Sequence, residues 1–257
     1  MKKVLYILII LTSFNSFGRV LQNGGLKSQL KTAIITDDKE SQKTLSNQLK
    51  SQYSVNVLQY YRNELESIKN QSVLITNGLE DTYPLIILQQ TESISDKTII
   101  ISLDLLNNQG YLSRIFTQLN LNQNFDKTSK SIYLSRLLSC KKTVFVSSTV
   151  NHHSYNQHSS HLFLVGLSLQ LNSSNQYKDL NNFWNKIKKQ NVNQLKLLAN
   201  EKQLYSNYLP PLLTLYKLNV ANDKNNKSLK TGIIVLSKLV NKEKTVTNIL
   251  NQYDKGG

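Results

Sequence analysis

Three short runs dominate what this chain can fold into: "SVLITNG" (72–78), "KTIIISLD" (97–104) and "KTVFVSS" (142–148). Each is apolar and rich in β-branched residues, and each is too short to satisfy a buried helix, so each reads as a buried strand. Between them the apolar residues recur every three to four positions. "YPLIILQQ" (83–90), with Pro84 placed in its first turn, "GYLSRIFTQLN" (110–120) and "KSIYLSRLLSC" (130–140) are the helices this spacing predicts. Strands alternating with helices require a parallel sheet with helices on its faces, an α/β fold. Upstream, "TAIIT" (32–36) and "SVNVLQY" (54–60) are expected to add strands, with helices over 41–53 and 63–70.

The ends bound the domain. Met1-Lys2-Lys3, an apolar run over Val4–Phe14 and the small residues of Ser16-Phe17-Gly18 have the order of a secretory signal. The apolar run falls short of the roughly 20 residues that a membrane span needs. The expectation is a signal peptide over 1–18, cleaved near Gly18, and a periplasmic or secreted mature protein; an uncleaved anchor is the alternative. Residues 19–173 then form an N-terminal α/β lobe. A long linking helix is expected over 174–210, ended by Pro210-Pro211. Residues 211–257 form a short C-terminal α/β segment, with "TGIIVLSKLV" (231–240) as its strand and "KTVTNILNQYD" (244–254) as its helix.

Composition removes several function classes. Cys140 is the only cysteine, so the chain has no internal disulfide and no thiolate cluster for a metal. The net charge is +15, or +13 without the two signal lysines, but the lysines are scattered through Asn- and Gln-rich sequence. No basic helix face with interleaved aromatics stands out, so nucleic acid is not an expected partner. No G-x-G-x-x-G follows a strand and no G-x-S-x-G elbow is present, so no catalytic residue is assigned and the chain is expected not to be an enzyme. Asp37-Asp38, Ser147-Ser148 beside His152, and Cys140 are read as a solvated turn, a strand end and a small buried side chain.

One cluster does carry chemistry. All four histidines fall within "VNHHSYNQHSSHLFL" (150–164): His152, His153, His158 and His161. The segment follows directly on a strand, where α/β sheets bind ligands. Neutral imidazoles suit zinc, copper or nickel, so these four are the candidate metal ligands.

The order of parts resembles a known family. "NELESIKNQSVLITNGLEDTYPLIILQQ" (63–90), with Asn77-Gly78-Leu79-Glu80 at its turn, is similar to a segment of the zinc- and manganese-type substrate-binding proteins of ABC importers. "SSHLFLVG" (159–166) resembles that family's ligand motif, with His161 on the ligand histidine and His152, His153 and His158 in the variable histidine loop before it. "NSSNQYKDLNNFWNKIKKQ" (172–190) resembles the helix joining its two lobes. The resemblance spans roughly 63–210. It implies a periplasmic solute-binding component of an ABC importer, with Zn2+ or Mn2+ as the divalent metal and a membrane permease as partner. The ligand set is incomplete, because 55–63 holds no histidine and none follows His161. The alternatives are a secreted Rossmann-like α/β transferase and a periplasmic interaction protein without a small ligand.

Overall fold

A computed structural model describes residues 25–122, 129–173, 175–190, 195–222, 224 and 226–255. The signal-peptide expectation at 1–18 lies outside the described residues. Among those described, no helix is long and apolar enough to cross a membrane.

The fold is α/β. Helix α1 covers residues 25–36, followed by α2 (Lys39–Lys50) and α3 (Val55–Ser67). Strand β1 (Val73–Thr76), α4 (Leu79–Glu92) and β2 (Ile99–Ser102) form the first parallel crossover. A 3-10 turn (Leu103–Asn107), α5 (Gln109–Gln118) and α6 (Lys130–Leu138) lead to β3 (Val144–Ser147), parallel to β1. The chain moves from β1 to β2 in one direction and from β2 past β1 to β3 in the other. Right-handed crossovers therefore put α4 on one face of the sheet and α5 with α6 on the opposite one.

The histidine segment forms α7 (His152–Tyr155) and a 3-10 turn (Asn156–His161). A hairpin follows, β4 (Leu162–Leu164) and β5 (Ser168–Leu171), with β5 antiparallel to both β3 and β4. The sheet order is β2-β1-β3-β5-β4. The rest is helical: α8 (Gln176–Ile187), α9 (Ala199–Tyr205), a 3-10 turn (Ser206–Tyr208), α10 (Leu209–Val220), α11 (Lys227–Leu239) and α12 (Glu243–Lys255).

All three strands expected at 72–78, 97–104 and 142–148 are present, and β1 and β3 are buried along their whole length. Helix α4 is buried on nearly every side, from Thr82 to Leu88, because α2, α3 and the sheet surround it. That explains an apolar run without a polar stripe. Pro84 stands inside α4 rather than in its first turn, where the helix goes without one backbone donor.

Several expected strands are helices. Over 32–36, Leu30, Ala33 and Ile34 are buried at helical spacing, so α1 continues through the β-branched run. Over 54–60, Ser54 accepts the Val57 N–H as an N-cap, and Leu58, Tyr61 and Leu65 face the core from α3. The C-terminal segment has no strand among its described residues. "TGIIVLSKLV" lies in α11, where Leu229, Ile233 and Leu236 repeat every three to four residues and pack against α10 and α12. Tertiary burial overrides the β propensity of the β-branched residues in each case. The linking helix over 174–210 is also corrected. It is divided into α8 and α9, and Pro210-Pro211 open α10 instead of ending a helix, since proline fits a first turn.

Candidate functional site

The reversal of strand order between β1 and β3 creates a switch point, and the crevice at the carboxyl ends of these two strands is where α/β sheets take ligands. A shallow cavity of about 410 Å³ lies there, lined by Asn77, Ser129, Lys130, Ser131, Asn151, His153 and Ser154. Asn77 comes from the turn after β1, Asn151 to Ser154 from the segment after β3, and the Ser129–Ser131 stretch from the start of α6.

Local hydrogen bonds hold these walls. Gly78 caps α4, and its carbonyl accepts from the Thr82 N–H (3.1 Å) and the Thr82 hydroxyl (2.7 Å). The same hydroxyl lies 2.6 Å from that of Thr76 at the end of β1. A Cβ on Gly78 would stand 2.4 Å from Asp104 Oδ2, so glycine is what lets this carboxylate lie over the corner. Asp104 pairs with Lys130 at 2.5 Å, closing one rim with a neutralised charge. At α6 the Ile132 N–H donates to Ser129 Oγ, and at α7 the His153 N–H donates to Asn151 Oδ1 (3.0 Å).

Beneath the crevice runs a chain of buried polar groups that connects α3, α4 and β3. Tyr61 donates its hydroxyl proton to Asp81 Oδ1 at 2.8 Å, and Thr149 also hydrogen-bonds this carboxylate. Thr149 Oγ1 is 2.9 Å from Ser147 Oγ, and Ser147 in turn reaches Glu64. Across the β3–β5 pair, Ser168 donates to Glu64 Oε1 at 3.1 Å. Glu64 is wholly buried, and its Oε2 has no partner among the described residues. Burial pushes the Glu64 carboxyl up to about 8, against the opposing pull of the two serine hydroxyls. It is therefore mostly neutral at pH 7, as a desolvated acid without a cation should be. Burial raises Asp81 as well, opposed by its bonds from Tyr61 and Thr149. Burial and the Asp81 charge together keep the Tyr61 hydroxyl protonated, and so a permanent donor.

The four histidines take separate positions. His152 packs edge-on against Tyr155, with centroids 5.0 Å apart. His153 lines the crevice. His158 Nε2 lies 2.8 Å from Ser135 Oγ of α6. His161 is exposed at the start of the hairpin, where its carbonyl accepts the Asn172 N–H (2.8 Å). Among the described residues no group of three or more His, Cys, Asp or Glu side chains is placed to hold a metal ion. Of the histidines, only His153 joins the residues after β1.

The other sequence candidates are structural. Asp38 caps α2 through Ser41, and Asp37 pairs with Lys39 at 2.8 Å. Cys140 is half-buried beside the Lys142 carbonyl. Glu64 and Asp81 were not singled out by motif. Their signal is positional: Glu64 sits among Tyr60, Tyr61 and Leu65 on the buried face of a helix, where an acid has no ordinary place.

A family model described as TMEM260-associated domain 2 matches residues 57–253. That range takes in the sheet, the crevice and the helices up to α12. No curated protein and no solved structure matches the chain.

Proposed function

This chain belongs to the TMEM260-associated domain 2 family, and from that premise we propose that it is a non-catalytic binding domain whose crevice takes a small, uncharged, hydroxyl-rich solute. The observation that carries this reading is the chemistry of the lining. Asn77 and Asn151 present amides, and Ser129, Ser131 and Ser154 present hydroxyls. Such groups donate and accept at once, which matches a ligand whose hydroxyls do the same. The one lysine is already paired with Asp104, so little uncompensated charge is offered to an ion.

An importer role would add a membrane permease as partner and place the domain outside the cytoplasm after export. The resemblance over 63–210 supports that extension, and the crevice supplies a seat for the cargo. Zinc or manganese as that cargo has a single histidine in the crevice to rely on, His153.

The test is a thermal-shift screen of the purified protein over neutral monosaccharides, polyols and zinc. A ligand that binds only the folded state raises its stability. A hydroxylated solute is expected to raise the melting temperature, and Asn77→Ala to abolish that rise. A rise with zinc alone that disappears in His153→Ala would replace the proposal with the metal reading.

A further inference from the structure

A second cavity, of about 230 Å³, lies among the C-terminal helices and shares no lining residue with the crevice. Its walls come from α8, from α9 and the turn after it, and from α10 and α11. The floor is made of buried side chains: Ile187 of α8, Leu212 of α10, Leu236 of α11, and Tyr205 and Tyr208. Both tyrosine hydroxyls are engaged on α3. Tyr205 donates to the Asn56 carbonyl at 3.0 Å, and Tyr208 accepts from the Asn63 amide at 2.7 Å. What these residues offer the cavity is therefore ring surface. Their centroids lie 5.2 Å apart, and Phe183 stacks on Tyr208 at 5.9 Å, which fixes the rings in place.

Trp184 adds a third aromatic wall, and a glycine sets its position. A Cβ on Gly232 of α11 would stand 2.4 Å from Trp184 Cη2, so the six-membered edge of the indole lies directly on the α11 backbone. Trp184 is only half-buried. The open side of the cavity is polar: Lys188, Ser228 and Thr231 are exposed there, and Gln190 is half-buried. Lys188 is the one charged group of the lining, and no carboxylate joins it. Its ammonium donates to the neutral Asn185 Oδ1 at 2.5 Å and keeps two further protons to give. An aromatic, apolar floor is thus set beneath a rim with one positive charge.

Size and chemistry narrow the occupant. An apolar cavity of about 150 Å³ accepts benzene, so 230 Å³ has room for one aromatic ring with a short substituent. Aromatic rings prefer tilted or edge-on aromatic neighbours, which a wall of tryptophan and tyrosine supplies. A cation at the rim with no acid beside it favours a ligand whose polar end is an anion. The geometry points to a second binding site, for a small aryl carboxylate such as phenylacetate. Its ring rests on the floor, and its carboxylate stays at the rim, accepting from Lys188 Nζ. This site is independent of the solute proposed for the crevice.

Trp184 is the only tryptophan of the chain, so its emission reports on this cavity. The experiment titrates the purified protein with phenylacetate, benzyl alcohol, octanoate and acetate while tryptophan fluorescence is followed. Phenylacetate is expected to change the emission saturably. Benzyl alcohol keeps the ring and loses the charge, and should bind about two- to fivefold more weakly, the worth of one solvent-exposed ion pair. Acetate should not saturate. Lys188→Gln should bring phenylacetate down to the level of benzyl alcohol and leave benzyl alcohol unchanged. Asn77→Ala, in the crevice, should change neither, so a failed crevice reading does not affect this result. The ligand comparison uses the wild-type protein and stands even if Lys188→Gln fails to fold. No saturable change with phenylacetate would mean that water alone fills the cavity. Equal affinity for benzyl alcohol, tighter binding of octanoate, or unchanged phenylacetate affinity in Lys188→Gln would also overturn the assignment.

Discussion

The histidine segment over 152–161 and the floor formed by Glu64 and Asp81 are joined by the loop after β3, yet they are built differently. His152, His153 and His161 are exposed, and the segment is held by a short helical turn, one aromatic contact and a bond to Ser135. Glu64 is wholly buried and Asp81 largely so, tied by tyrosine, threonine and serine hydroxyls to α3, α4, β3 and β5. Exposed imidazoles can change without disturbing anything beneath them. A buried acid with fixed partners couples every element it touches, so perturbing it should register in stability.

The largest separation should come from pH. The Glu64 carboxyl is raised from an ordinary 4.5 to about 8 in the folded state. The folded protein therefore binds more protons than the unfolded chain across this window. Its contribution is fully present below about 4.5 and is lost as pH rises through about 8. Wild-type stability should fall relative to Glu64→Gln by up to about 1.4 kcal/mol per pH unit in that window, measured by urea denaturation. Parallel pH profiles for the two proteins would place Glu64 in a solvated setting like that of the histidines.

Glu64→Ala should cost about 3 kcal/mol at pH 7, because it opens a cavity and strands the Ser147 and Ser168 hydroxyls. Glu64→Gln at pH 6 should cost far less, since the amide keeps the volume of the neutral acid. Tyr61→Phe removes one donor from Asp81 and should cost about 1 kcal/mol, read from the same denaturation curves. It should also raise the Asp81 carboxyl further, because that donor favours the ionised form. At the small end, replacing His152, His153 and His161 together by alanine should shift stability by no more than about 0.5 kcal/mol. A loss of several times that amount would show that the segment is structural after all.

How far these regions could be read from sequence follows from their packing. β1, β2 and β3 were legible because a strand buried on both faces is apolar along its run, as "VLI" of β1 and "VFV" of β3 are, with one buried hydroxyl residue at each carboxyl end. The β-branched runs at 32–36 and 231–240 have the same composition but stand in helices, where burial every third or fourth residue decides. The crevice was legible as a place, since it follows from strand order. Its histidines were visible by clustering along the chain, but only His153 faces the cavity. Glu64 and Asp81 lie 17 residues apart in sequence and meet through Ser147 and Thr149, far along the chain, so no local spacing could announce them.

The central claim is that the amide-lined crevice between β1 and β3 binds a neutral hydroxylated solute. Its most direct test is an NMR titration of the side-chain amides, with the purified protein and the monosaccharide or polyol that stabilises it best. The account predicts that the Asn77 and Asn151 side-chain signals shift together and saturate, while Asn47, on α2 and not part of the crevice lining, stays in place. Saturable binding that leaves Asn77 and Asn151 unmoved, or no saturable binding by any such solute, would contradict it.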